Sequence, residues 1–232
     1  MTEMTSPQPF PEPLITGQKM TREEFLRRWE LLPELKNAEL IEGIVYVASP
    51  VSRQHGALDT RLMSWLDHYA IATPGCEAGN NSTWCMADSL PQPDCDLRIL
   101  PDHGGQSREA GEFCGGAPEL ALEVCLSSTQ YDFGPKLALY QRAGVREYIT
   151  VELLRQRVIW RSLEDGSYVA MEPSPEGVLR SKVFPGLWLD VDALWNNDGA
   201  RLMAVLQQGL ATAEHSAFVE ELRKRAHTVS SR

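Results

Sequence analysis

Apolar residues at Leu58, Leu62, Trp65, Leu66 and Tyr69 recur at three- and four-residue spacing, which predicts an amphipathic helix over residues 52–69. A shorter helix is predicted before it, where Thr21 and Glu24 form a capping-box pair and the helical pattern runs to about Glu30. Between the two, Leu40 to Ala48 reads as a strand or hairpin turning at Glu42-Gly43. The period then changes to two, giving strand expectations near 82–87, 94–100 and 120–126, with a Gly-rich polar loop from 101 to 118. A helical pattern resumes after Thr129, with Pro135 at a first-turn position and Gly144 as its stop, while Ser127, Ser128 and Thr129 are expected to shape and cap the entry. Arg146 to Val151 reads as a strand, and Val158–Arg161 and Tyr168–Met171 as a hairpin around Glu164-Asp165-Gly166. A last strand near 178–184 precedes Pro185-Gly186, and one or two helices are expected from 192 to about 226.

Two of these strands carry the chemistry. Alternation puts Asp94, Asp96 and Arg98 on one face and Cys95, Leu97 and Ile99 on the other. In the later strand Glu119, Ala121, Glu123 and Cys125 share a face opposite Leu120, Leu122, Val124 and Leu126. An acid between Leu122 and Val124 needs a partner or a metal to offset its desolvation. If the strands are neighbours with polar faces aligned, Asp94 and Glu123 converge on the hard-oxygen surroundings that Mg²⁺ or Mn²⁺ prefers.

Composition narrows the class. The 232 residues, 43% hydrophobic and 23% charged, suit one principal globular domain. Residues 1–18, rich in Pro, Thr and Ser, read as a flexible arm, and no segment has the make-up of a membrane span or a signal peptide, so a cytoplasmic protein is expected. Five cysteines without a Cys-x-x-Cys pair argue against a disulfide framework or a cysteine zinc site. The net charge of −10 opposes a broad phosphate-binding surface, although a local positive groove is compatible with it. Without a Gly-x-Ser-x-Gly elbow, Ser127 and Ser128 are not read as nucleophiles.

The order helix, three strands, helix, strand, with an acid opening the second strand and Glu123 inside the third, resembles the PD-(D/E)XK nuclease superfamily. More narrowly, the chain resembles the Uma2 (DUF820) family of restriction-endonuclease-like proteins. The matching stretches are Glu39-Leu-Ile-Glu-Gly43 with Ser49-Pro50 and His55, Pro93-Asp94, Gly116 to Thr129, Lys136 to Tyr140 and Ala143 to Tyr148, with Pro185-Gly186. The resemblance implies an α/β (α+β) fold, a restriction-endonuclease-like mixed sheet flanked by helices with an added C-terminal hairpin and helix. The nuclease-like domain would span 19–190 and a helical extension 191–232.

It further implies a Mg²⁺- or Mn²⁺-dependent endonuclease acting on nucleic acid, DNA before RNA, with Asp94 and Glu123 as metal ligands; a homodimer is an expectation of the same origin. The family pattern puts Lys two residues after the Glu, where this chain has Cys125. In families of this type the following helix can supply the lysine, which points to Lys136, in a first turn that already favours anions. Glu42 is a candidate for a further metal ligand or water contact, His55 for a contact to metal, phosphate or water, and Asp96 is a substitute or helper for Asp94. The competing reading is a catalytically inactive nuclease-fold module, in which Lys136 would point away from the acids.

Overall fold

A computed structural model describes residues 12–125 and 134–229. Residues 1–11 of the predicted arm, Leu126 and the Ser127–Thr129 turn lie outside these. At its centre is a six-stranded mixed sheet. Its members in spatial order are β11 (Ser167–Ala170), β10 (Arg157–Glu164), β9 (Glu147–Glu152), β8 (Leu120–Cys125), β5 (Cys95–Ile99) and β3 (Cys76–Asn80). Only β8 and β9 run parallel, and the helix α3 (Pro135–Ala143) lies between them in sequence, as a parallel crossover requires.

The alternation of β5 and β8 sorts as their sequences predict. Cys95, Leu97, Ile99, Leu120, Leu122 and Val124 are buried in the larger core. That core is closed by α2 (Arg53–Ala72) and by three C-terminal helices, α4 (Val191–Trp195), α5 (Gly199–Leu210) and α6 (Ala213–Val229). On the opposite face Ala121 packs with Tyr140 of α3 and Tyr148 of β9. The hairpin β1 (Ala38–Ile41) and β2 (Ile44–Val47) lies on that side, with α1 (Arg22–Glu30) buried against it through Phe25. Ser52 caps α2 by accepting from the His55 N–H, and Thr21 caps α1 by accepting from the Glu24 N–H. Pro135 opens α3 and Gly144 closes it at φ 83°, where glycine alone adopts the left-handed conformation without cost.

Several elements depart from the sequence expectations. The strand beside β5 is β3, whereas the 82–87 stretch gives only β4 (Trp84–Cys85), in a separate three-stranded sheet. That sheet is completed by β6 (Arg108–Ala110) and β7 (Phe113–Gly115), a hairpin inside the predicted loop. The expected 178–184 strand shortens to β12 (Val178–Arg180), paired with β13 (Trp188–Asp190). Residues assigned to the arm also belong to the folded body, because Leu14 is buried and the Gly17 N–H donates to the Val45 carbonyl. The C-terminal region holds three helices, since Asn196 and the segment at Ala211 each end one.

Candidate active site

The register of β5 against β8 pairs Cys95 with Leu122 and Asp96 with Ala121. One further step places Asp94 opposite Glu123, and an antiparallel register keeps opposed side chains on one face. Both carboxylates line a cavity of about 310 Å³ with Glu39, Gln92, His55 and Lys136. The outer wall comes from the β2–α2 connection, Val47 to Ser52.

Four elements converge on the acids. Glu123, 4% exposed, accepts at Oε1 from Lys136 Nζ at 2.8 Å and from the Tyr140 hydroxyl at 2.8 Å, both on α3 one turn apart. Lys136 is itself buried and its ammonium lies 3.0 Å from Glu39 Oε1. Glu39 also accepts from the Gln92 N–H. Asp94 Oδ2 accepts from the Val124 N–H at 2.7 Å. His55 Nε2 donates to the carbonyl of the same residue at 2.9 Å, which fixes its proton on that nitrogen, and lies 3.8 Å from Asp94 Oδ2. The Val124 peptide is thereby held at both ends between the two acids.

Burial dominates the electrostatics. It pushes the Asp94 carboxyl up to about 6, while the Lys136 ammonium, the Val124 N–H and His55 pull it down and Asp59 adds to the rise. Burial, reinforced by the neighbouring Glu123, also holds the Tyr140 hydroxyl well above its ordinary range, so Tyr140 remains a donor. Three carboxylates and one ammonium line the cavity, leaving an excess of negative charge that suits a divalent cation. The carboxylates of Asp94, Glu123 and Glu39 and the Val124 carbonyl are hard-oxygen groups on the cavity wall. Among the described residues no three His, Cys, Asp or Glu side chains form a metal cage. Mg²⁺ does not require one, since it is commonly held by one or two carboxylates together with water and substrate phosphate.

Asp94, Glu123, Lys136 and His55 are thus brought together, whereas Glu42 is not. Glu42 sits at the β1–β2 turn with φ 52°, exposed and ion-paired with Arg142; the turn reverses the chain and carries its side chain away from the cavity. Glu39, three residues earlier on β1, takes the place at the cavity. Its sequence signal was the one that singled out Glu123, an acid inside an apolar run, Ala38-Glu39-Leu40-Ile41. Asp96 also lies apart, buried beside Gly79 of β3, accepting from Trp84 Nε1 at 3.2 Å and pushed up to about 7 by burial. Glu119 is structural, its carboxylate accepting from the Ile99 and Gln106 N–H groups.

The structure thus joins two acids on adjacent strands of a mixed sheet with a lysine from the following helix. Residues 22–192 match the model of the Uma2 family, described as "Putative restriction endonuclease", and the chain belongs to that family. Its fold is similar to a crystal structure from Anabaena variabilis described as a "putative nuclease belonging to DUF820". The TM-score is 0.59 at 18% identity, over 76% of this chain and 98% of that one. No curated protein matches the chain. No helix among the described residues is long and apolar enough to cross a membrane.

Proposed function

We propose that the cavity is the centre of a Mg²⁺- or Mn²⁺-dependent endonuclease that hydrolyses phosphodiester bonds of DNA. The observation that carries this reading is the Lys136 ammonium, 2.8 Å from Glu123 and 3.0 Å from Glu39. It supplies from α3 the cation absent from the Cys125 position. The family description adds support for DNA as the substrate.

Asp94 and Glu123 are the side chains that would hold the metal, with the Val124 carbonyl as a third oxygen. A divalent cation there would lower the pKa of a water and neutralise charge growing on the phosphate. Lys136, fixed by two carboxylates in the first turn of α3, directs its positive charge at the developing phosphoryl charge without reorganising. The N-termini of α2 and α3 both reach the cavity, through Ser52 and Lys136, and the positive ends of their helix dipoles favour an anion. Tyr140 holds Glu123 in place, and His55 positions the strand between the acids through the Val124 carbonyl.

Incubation of supercoiled plasmid and of single-stranded DNA with Mg²⁺ or Mn²⁺ tests the reading. Nicked or linear product is expected from the wild type and none from Glu123→Ala. Cleavage that survives that substitution, or a wild type inert with both metals, refutes it.

A further inference from the structure

The cavity alone holds a nucleic acid poorly, because Lys136 is the one Lys or Arg among its lining residues. Neither residues 1–11 nor residues 126–133 contain a Lys or Arg. Further cations on the same sheet face are found by following the register away from Glu123. Thr150 is paired with Glu123 and Glu152 with Cys125, so all four share the face that carries the acids. The next strand pairs Arg157 with Glu152 and Arg161 with Tyr148.

Glu152 is buried, 1% exposed, and binds two guanidinium groups at once. Arg157 Nε lies 2.6 Å from Oε2 and Arg155 Nη1 3.2 Å from Oε1. The two arginine side chains are 53% and 70% exposed. The two arginines and Glu152 together therefore carry one net positive charge, and the guanidinium groups are anchored from below and face solvent. Strand spacing and rise place the Arg157 backbone roughly 12 Å from that of Glu123. That distance corresponds to about three to four nucleotides along one strand at roughly 3.4 Å of axis each.

We propose that Arg155 and Arg157, held by Glu152, form a phosphate-binding subsite for the nucleic-acid strand flanking the bond at Glu123. The choice of ligand rests on the nuclease reading; the subsite itself rests on the register, the ion pairs and the exposure. Glu152 orients the two forks and restrains their affinity, since each guanidinium shares its charge with the carboxylate. Neutralising Glu152 therefore strengthens phosphate binding, whereas truncating the arginines weakens it.

The test is equilibrium binding of a fluorescent single-stranded DNA 20-mer by the full chain, across a salt series and without divalent metal so that no cleavage intervenes. Arg155→Ala is expected to weaken binding about fivefold and to reduce the slope of log affinity against log salt by about 1. Glu152→Gln is expected to tighten binding by a similar factor. Because removing Arg157 strands a buried charge, E152Q/R155A/R157A is the control for folding, and its affinity is expected to fall below that of E152Q by tenfold or more.

A triple variant that binds like E152Q, or a wild type that binds no oligonucleotide at low salt, overturns the subsite. The nuclease reading fails separately, through absence of Glu123-dependent cleavage, and arginine-dependent binding in an inert protein would leave the subsite standing.

Discussion

Burial raises the Asp94 carboxyl toward neutral pH. It titrates at about 6 in the fold against an ordinary 3.8, so over that interval the folded chain keeps a proton the unfolded chain has released. The stabilisation this gives is fully present below about pH 4 and lost as pH rises through 6. Asp94→Asn removes the loss, and thermal melts should show it stabilising by on the order of 2 kcal/mol at pH 8 while remaining near neutral at pH 4. In the proposed metal site the ionised form would be the ligand, so calorimetric Mn²⁺ affinity should fall by up to about tenfold per pH unit below 6. An affinity flat from pH 5 to 8 would remove Asp94 from the proposed metal site. Glu39 and Glu42 offer a paired test, since the first touches Lys136 and the second pairs with Arg142. Glu39→Ala should lower the plasmid cleavage rate about tenfold or more, whereas Glu42→Ala should stay within about twofold of wild type.

Among the elements, the C-terminal helices dock through glycines that the sequence marked only as a Pro-Gly turn. Gly186, at φ 88°, and Gly209 of α5 bring their backbones together so closely that a Cβ on Gly209 would lie 2.2 Å from the Gly186 carbonyl oxygen. Gly209→Ala is therefore expected to cost about 2 kcal/mol, a fall in Tm of roughly 4–8 °C for a chain of this size. An unchanged melting temperature would mean that α5 shifts freely against the β12–β13 turn. The strands that bear the acids were legible because alternation is strong there, with Leu97, Ile99, Leu120, Leu122 and Val124 all facing one core. Strand β3 was not, because Cys-Glu-Ala-Gly-Asn carries no β-branched residue and Gly79 has no side chain to register a face. The reason for that glycine is tertiary, since a Cβ there would meet the Asp96 carboxylate at 2.6 Å. The β6–β7 hairpin was hidden in the same way, its three-residue strands falling below the length at which period two can be read.

For the whole molecule, the sheet order converts two distant sequence segments into one site. Alternation foretold the faces of Asp94 and Glu123, and Pro135 foretold the helix start that carries Lys136. No local pattern could state that α3 folds back over β8 to return that lysine to the acids, because the crossover is set by the parallel pairing of β8 with β9. Nor could local pattern separate Glu39 from Glu42, since the choice depends on where the hairpin turns. The expectation attached to an inactive module, a Lys136 directed away from the acids, is not met, because its ammonium lies between Glu123 and Glu39. With a net charge of −10, the proposed nucleic-acid binding rests on a few placed cations and should show a correspondingly shallow salt dependence. The most direct test of the central claim is the single-turnover cleavage rate of supercoiled plasmid by Lys136→Ala beside wild type, with Mn²⁺ binding measured on both. The variant is expected still to bind the metal yet to cleave about 10²–10³-fold more slowly; cleavage by Lys136→Ala at the wild-type rate would rule out Lys136 as the catalytic cation.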